Sequence, residues 1–259
     1  MTRFVVTGFG QFCGVDENPT EALIKLLRDR LSGENARPYR VISTEVLECA
    51  GQSVREWAEH LYGGIQPETP LVVLHLGVDG TATHFKLEQQ AVNEAAFRVP
   101  DQKGWQPQQQ CIDDHPGLTL SSRLATSLDV AALAADLTER RHDVRVSQDA
   151  GRYVCNFTYY LSLLHTQKLR QRHGRPLHTL FLHVPPAEVV PLPRQLHLLL
   201  DLLQAIAAQL ASPAPPGTAA LMGPAGLGAA EGKEQARRAV LAISRGIPCN
   251  RLPCNDEEG

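Results

Sequence analysis

Apolar residues in this chain come in short blocks, and the spacing within the blocks alternates between two periods. Residues 4–7, 39–47, 71–76, 144–147 and 179–184 are compact apolar or alternating runs, the pattern of β-strands. The block at 71–76 is apolar almost without interruption, as expected when both faces of a sheet are covered. Between these runs the spacing switches to that of helices. Asn18-Pro19-Thr20-Glu21 is a helix start, with a capping side chain, a proline in the first turn and an early acid. Ala22, Leu23, Leu26 and Leu27 then form an apolar stripe that ends near Ser32-Gly33. Residues 53–62 form a second predicted helix, stopped by Gly63-Gly64, and 120–137 a third. A fourth contains Cys155, and the last, amphipathic, spans 195–210.

Strands alternating with helices predict an α/β fold: a three-layer α/β/α sandwich with a mostly parallel central sheet. Residues 100–118 are rich in Gln, Pro and Asp and read as a long loop of the kind that is often functional. The pattern stops near residue 211. The chain therefore reads as one α/β domain over 1–210 followed by a low-complexity, flexible tail over 211–259, in which 231–243 could form an isolated helix.

Composition narrows the function classes. The 259 residues carry a formal charge of −3, which offers no basic face for nucleic acid. No apolar stretch approaches the roughly 18 residues of a membrane span, and residues 196–210 are interrupted by His197, Asp201 and Gln204. The first residues lack the layout of a signal peptide. Six cysteines, at 13, 49, 111, 155, 249 and 254, stand in dissimilar contexts, and free thiols in a cytoplasmic protein are the expectation. Cys249 and Cys254 have no second ligand pair nearby for zinc.

Three residues near strand ends could do chemistry together. Cys155 follows the strand at 144–147 and the turn marked by Asp149 and Gly151, in the first turn of a helix, where free N–H groups favour a thiolate. His183 is the penultimate residue of the strand at 179–184. Glu88 lies beyond the strand at 71–76 and the Gly77–Gly80 turn. A thiol, an imidazole and a carboxylate at neighbouring strand ends would make a nucleophile, a base and an orienting group. Each also has an ordinary structural reading: a buried cysteine, a backbone-bonded histidine, a solvated acid. The loop Gly8-Phe9-Gly10-Gln11-Phe12-Cys13-Gly14 resembles a dinucleotide loop, but its third glycine is one residue late and it holds two phenylalanines. Aromatics there suit a small flat or apolar ring, or packing under the sheet.

These pieces together resemble the pyroglutamyl peptidase I family of cysteine peptidases. The resemblance rests on Val6-Thr7-Gly8-Phe9-Gly10-Gln11-Phe12 with Asn18-Pro19-Thr20, on His75-Leu76-Gly77-Val78-Asp79-Gly80 leading to Leu87-Glu88 and Ala91-Val92-Asn93, on Arg98-Val99-Pro100-Asp101, on the stretch around Cys155, and on Phe181-Leu182-His183-Val184-Pro185-Pro186. It implies Cys155 as nucleophile, His183 as base and acid, and Glu88 as the third member. Phe9 and Phe12 would line the pocket for the pyrrolidone ring, and Arg98 would help stabilise the oxyanion. It implies no metal or organic cofactor, and small peptides with an N-terminal pyroglutamate as substrates. Gln11 and Cys13 depart from the family pattern, Val78 is similar to vertebrate-type members, and the tail has no counterpart. The alternative expectation is a non-catalytic paralogue that keeps the fold as a binding or regulatory module.

Overall fold

The computed structural model describes residues 1–12, 17–32, 37–65, 68–174 and 176–212. The chain divides into Met1–Pro213 and Ala214–Gly259. The second unit lies outside the described residues, and with it the expected tail, the 231–243 helix, Cys249 and Cys254; Cys13 and Gly14 lie outside as well.

Among the described residues of the first unit, eight strands and five helices follow one another: β1 Thr2–Phe9, α1 Pro19–Leu31, β2 Tyr39–Leu47, α2 Gly51–Gly64, β3 Leu71–Val78, β4 Phe85–Glu88, β5 Gln90–Val92, β6 Arg123–Ala125, α3 Val130–Glu139, β7 Val144–Ser147, α4 Val154–His173, β8 Leu177–Val184 and α5 Leu192–Ala211. Six strands form the central sheet in the order β2-β1-β3-β8-β4-β7. Pairings β1·β2, β1·β3, β3·β8 and β4·β7 are parallel, and β4·β8 is antiparallel. The predicted mostly parallel sheet is thus present, with β4 and β7 running against the other four. β5 and β6 form a separate antiparallel ribbon.

The sheet sorts its side chains by the period of two. Phe4, Val6, Leu74, Leu76, Leu180, Leu182 and Val184 pack with residues of α1, α3 and α5 on one face. Val5, Val73 and Phe181 pack on the other, against α2 and α4. His183 alternates with Leu182 and Val184, and Glu88 alternates with Leu87. Both therefore belong to the α4 face.

The expected helix over 120–137 is shorter. Residues 123–125 pair with β5 as β6 instead, and hydroxyls hold the flanks: Thr119 N–H donates to Ser122 Oγ, and Thr126 Oγ1 donates to the Thr179 carbonyl at 2.6 Å. The helix begins only at Val130, where Asp129 caps it by accepting from Ala132 N–H. Short polar side chains bonding to nearby backbone compete with helix in this way. The 100–118 loop contains no helix or long strand. Asp101 ties it down by accepting from the N–H groups of Gly51, Lys103 and Trp105.

Candidate active site

Three segments meet where the carboxyl ends of β1, β3 and β8 face α4. The first is the β1–α1 connection. Thr20 Oγ1 accepts from Phe9 N–H at 2.9 Å, Asn18 Nδ2 donates to the Gly10 carbonyl, and Asn18 Oδ1 caps α1 through Thr20 N–H. Gly8 is required by this closure, because a Cβ there would sit 2.6 Å from the Thr20 carbonyl oxygen. Phe9 is buried and stacks on Phe181 at 6.5 Å between centroids.

The second segment delivers Cys155. Asp149 Oδ1 accepts from Gly151 N–H in a tight turn, and Gly151 takes a φ of 79°, a left-handed conformation natural to glycine. Arg152 bridges Asp149 and Glu94, at 2.6 and 2.8 Å. Asn156, fully buried, accepts from Val92 N–H and donates to the carbonyls of Val92 and Glu94. Arg152 before Cys155 and Asn156 after it are therefore pinned to Glu94 and β5. The sulfur lies close over β3, since a Cβ on Gly77 would meet it at 3.0 Å.

The third segment is the antiparallel contact of β4 with β8. Lys86 stands opposite His183 and Glu88 opposite Phe181. Reversed strand direction places Glu88 diagonally across from His183 on the α4 face. Glu88 Oε1 accepts from His183 Nδ1 at 2.8 Å. Glu88 is fully buried, and its backbone carbonyl accepts from Tyr159 Oη. Its second carboxylate oxygen has no hydrogen-bond partner.

A cavity of about 1110 Å³ opens over these groups. Cys155, His183, Phe9, Phe12 and Arg98 all line it, so five of the six residues singled out from the sequence border one space. Glu88 is the sixth, and it lies behind His183. Arg98 is exposed at the cavity and makes no hydrogen bond or ion pair among the described residues. Residues the sequence reading gave no role also line it: Tyr153, Cys49, Asp79 and Glu188. Phe12 and Phe97 pack against the Tyr153 ring at 6.2 and 4.8 Å. Tyr153 directly precedes α4, two residues before Cys155 and within the same distinctive stretch.

The electrostatics differ from the expected thiolate. Burial pushes the Cys155 thiol well above its ordinary range, and the nearby Cys49, Glu88 and Asp79 push the same way, against its own backbone N–H. The helix start is therefore outweighed by desolvation and by like charge. Cys49 is pushed up to about 12, by burial first and then by Asp101. Burial opposes ionisation of Asp79 too, but Lys86 at 2.6 Å and the Thr81 N–H and hydroxyl bring it down to about 2.

A pyroglutamyl peptidase family model matches residues 2–196. A pyrrolidone-carboxylate peptidase of Thermococcus litoralis is 31% identical over 192 residues, covering 73% of this chain and 80% of that protein. Pyroglutamyl-peptidase 1 of Homo sapiens is 31% identical over 184 residues, 70% of this chain and 78% of that one. The solved structure of the pyrrolidone carboxyl peptidase from Thermococcus litoralis superposes with a TM-score of 0.67 at 25% identity, covering 82% of this chain and 96% of that one.

Proposed function

The chain belongs to the pyroglutamyl peptidase family and is a cysteine peptidase, and from that premise we propose that Cys155, His183 and Glu88 form its catalytic triad. The observation that carries the assignment is the buried His183–Glu88 hydrogen bond behind the cavity that Cys155 also lines.

The substrate class we infer is small peptides whose N-terminal residue is pyroglutamate. The lactam ring enters between Phe9 and Phe12. A blocked N-terminus brings no ammonium, so it enters an aromatic pocket without desolvating a charge, whereas a free N-terminal Glu or Gln would carry that cost. The cavity exceeds the size of one ring and leaves room for the residues that follow.

We infer that the thiol holds its proton in the free site, since burial pushes it above its ordinary range. With Nδ1 donating to Glu88, His183 uses Nε2 as the base. It takes the thiol proton as sulfur attacks the pyroglutamyl carbonyl, and the Glu88 carboxylate stabilises the imidazolium that forms. Charge then develops on the carbonyl oxygen. Tyr153 provides no side-chain cap to α4, so first-turn N–H groups remain for that oxygen, assisted by Arg98. One such donor is worth roughly 3 kcal/mol in the transition state. His183 next protonates the departing amine. It then activates water to release pyroglutamate and restore the thiol.

All of this chemistry lies within residues 1–210. Among the described residues no helix is long and apolar enough to cross a membrane. Cys49, Cys111 and Cys155 are free. A free-thiol nucleophile works where thiols stay reduced, and the cytoplasm is the compartment we infer. The test is release of a fluorophore from a pyroglutamyl amide by the protein beside Cys155→Ser. Turnover by the parent and none by the variant is the expected result; background signal from both overturns the assignment.

A further inference from the structure

A second cluster of reactive side chains lies on the opposite face of the sheet, where α5 meets the turn after α3. His142 enters from that turn. Arg141, at φ 71°, ends α3 in a left-handed residue, and His142 N–H returns to the Leu137 carbonyl, so the position of His142 is set by the helix terminus. His197 and Asp201 stand one helical turn apart on α5.

Both imidazoles converge on one carboxylate oxygen of Asp201. Asp201 Oδ2 lies 2.8 Å from His142 Nε2 and 3.6 Å from His197 Nε2. The three donor atoms all lie within 4.8 Å of one another. A hydrogen bond from His142 accounts for the first distance. The second is too long for one, and His197 has no hydrogen bond among the described residues. Zinc with ligand bonds near 2.0–2.1 Å in a tetrahedral site separates its donors by about 3.3 Å, which falls between the two distances. Arg140 is the opposing charge. Its firmer contact is with Asp136, at 3.0 Å, and it reaches only the other Asp201 oxygen, at 3.7 Å. It orients the carboxylate and weakens the site without occupying it.

We propose that His142 Nε2, His197 Nε2 and Asp201 Oδ2 form a binding site for a transition-metal dication of the zinc type. Two imidazoles and one carboxylate suit Zn²⁺, Ni²⁺ or Cu²⁺ better than Ca²⁺ or Mg²⁺, which take oxygen donors. Three protein ligands leave a coordination position for water. The site joins α5 to the α3–β7 turn, so its role is to clamp the helical layer that supports the sheet. It is independent of the peptidase assignment.

Zn²⁺ and Co²⁺ are titrated into the full chain carrying Cys155→Ser, which removes the most obvious competing ligand, and into the same protein with His197→Ala. His197 is 68% exposed, so its loss leaves the core intact. The expected result is one Zn²⁺ bound, a Co²⁺ spectrum of nitrogen and oxygen ligation, and a rise in Tm with Zn²⁺. His197→Ala should weaken binding by about tenfold or more and remove the rise in Tm. Asp201→Asn, which keeps the shape and removes the charge, should weaken it likewise. Equal affinity in parent and His197→Ala, a thiolate spectrum with Co²⁺, or no binding would each overturn the proposal.

Discussion

His183 and Glu88 stand on adjacent strands that run in opposite directions, and it is this reversal that joins Nδ1 to Oε1 at 2.8 Å. Glu88→Gln keeps a hydrogen-bond acceptor there and removes the charge. The imidazolium formed during attack then loses its counter-charge, and an amide can also donate, which favours the wrong tautomer. The expected result is a fall in kcat of roughly 10²–10⁴-fold with a small change in KM, measured on a pyroglutamyl amide. An unchanged kcat contradicts the role of Glu88.

Gly77 sits beneath Cys155, the proposed nucleophile. A methyl group there meets the Phe181 ring at 2.7 Å and Cys155 Sγ at 3.0 Å. Gly77→Ala should displace both, lowering kcat and costing about 1–3 kcal/mol of stability, read by urea denaturation beside steady-state kinetics.

Burial pushes the Cys155 thiol above its ordinary range, and Cys49, Glu88 and Asp79 push the same way. Its alkylation by iodoacetamide, followed by mass spectrometry of the labelled peptide, should keep accelerating above pH 9. A plateau already reached near neutrality would mean a preformed thiolate–imidazolium pair.

His75 is fully buried between Thr7 Oγ1, at 2.7 Å, and Ser162 Oγ, at 2.9 Å. Burial lowers its pKa from 6.5 to about 3. Between those values the unfolded chain binds the proton and the folded one does not. Stability therefore falls as pH drops from about 6.5 towards 3, by up to ~1.4 kcal/mol per pH unit for this group. His178, brought down to about 4 by burial and then Arg170, acts in the same direction. Urea unfolding at pH 7.5 and 5 should show the loss, and His75→Asn should show less of it.

What could be read from the chain depended on how local the cause was. β1, α1, β3 and β8 carry their own pattern: unbroken apolar runs, or a cap, proline and stripe. The chemical identities of Cys155, His183 and Glu88 were legible because each sits in a distinctive stretch. The direction of β4 was not. Four residues cannot reveal which neighbour they pair with, and the antiparallel pairing is decided by β8, almost a hundred positions away. The opposition to a thiolate was hidden for a related reason: the helix start is local, while the desolvation comes from the surrounding fold, and the charges come from Glu88 on β4 and Asp79 in the turn after β3. His142 and Asp201 were visible only as polar residues, since their meeting depends on how α3 and α5 pack.

Cys155 is the residue proposed to carry the acyl group. Intact-mass analysis of protein quenched during turnover of a pyroglutamyl ester, followed by peptide mapping, tests it most directly. The expected result is one pyroglutamyl group, on Cys155 and absent from Cys155→Ser. Hydrolysis that proceeds at full rate in Cys155→Ser, or an acyl group found on another residue, would contradict it.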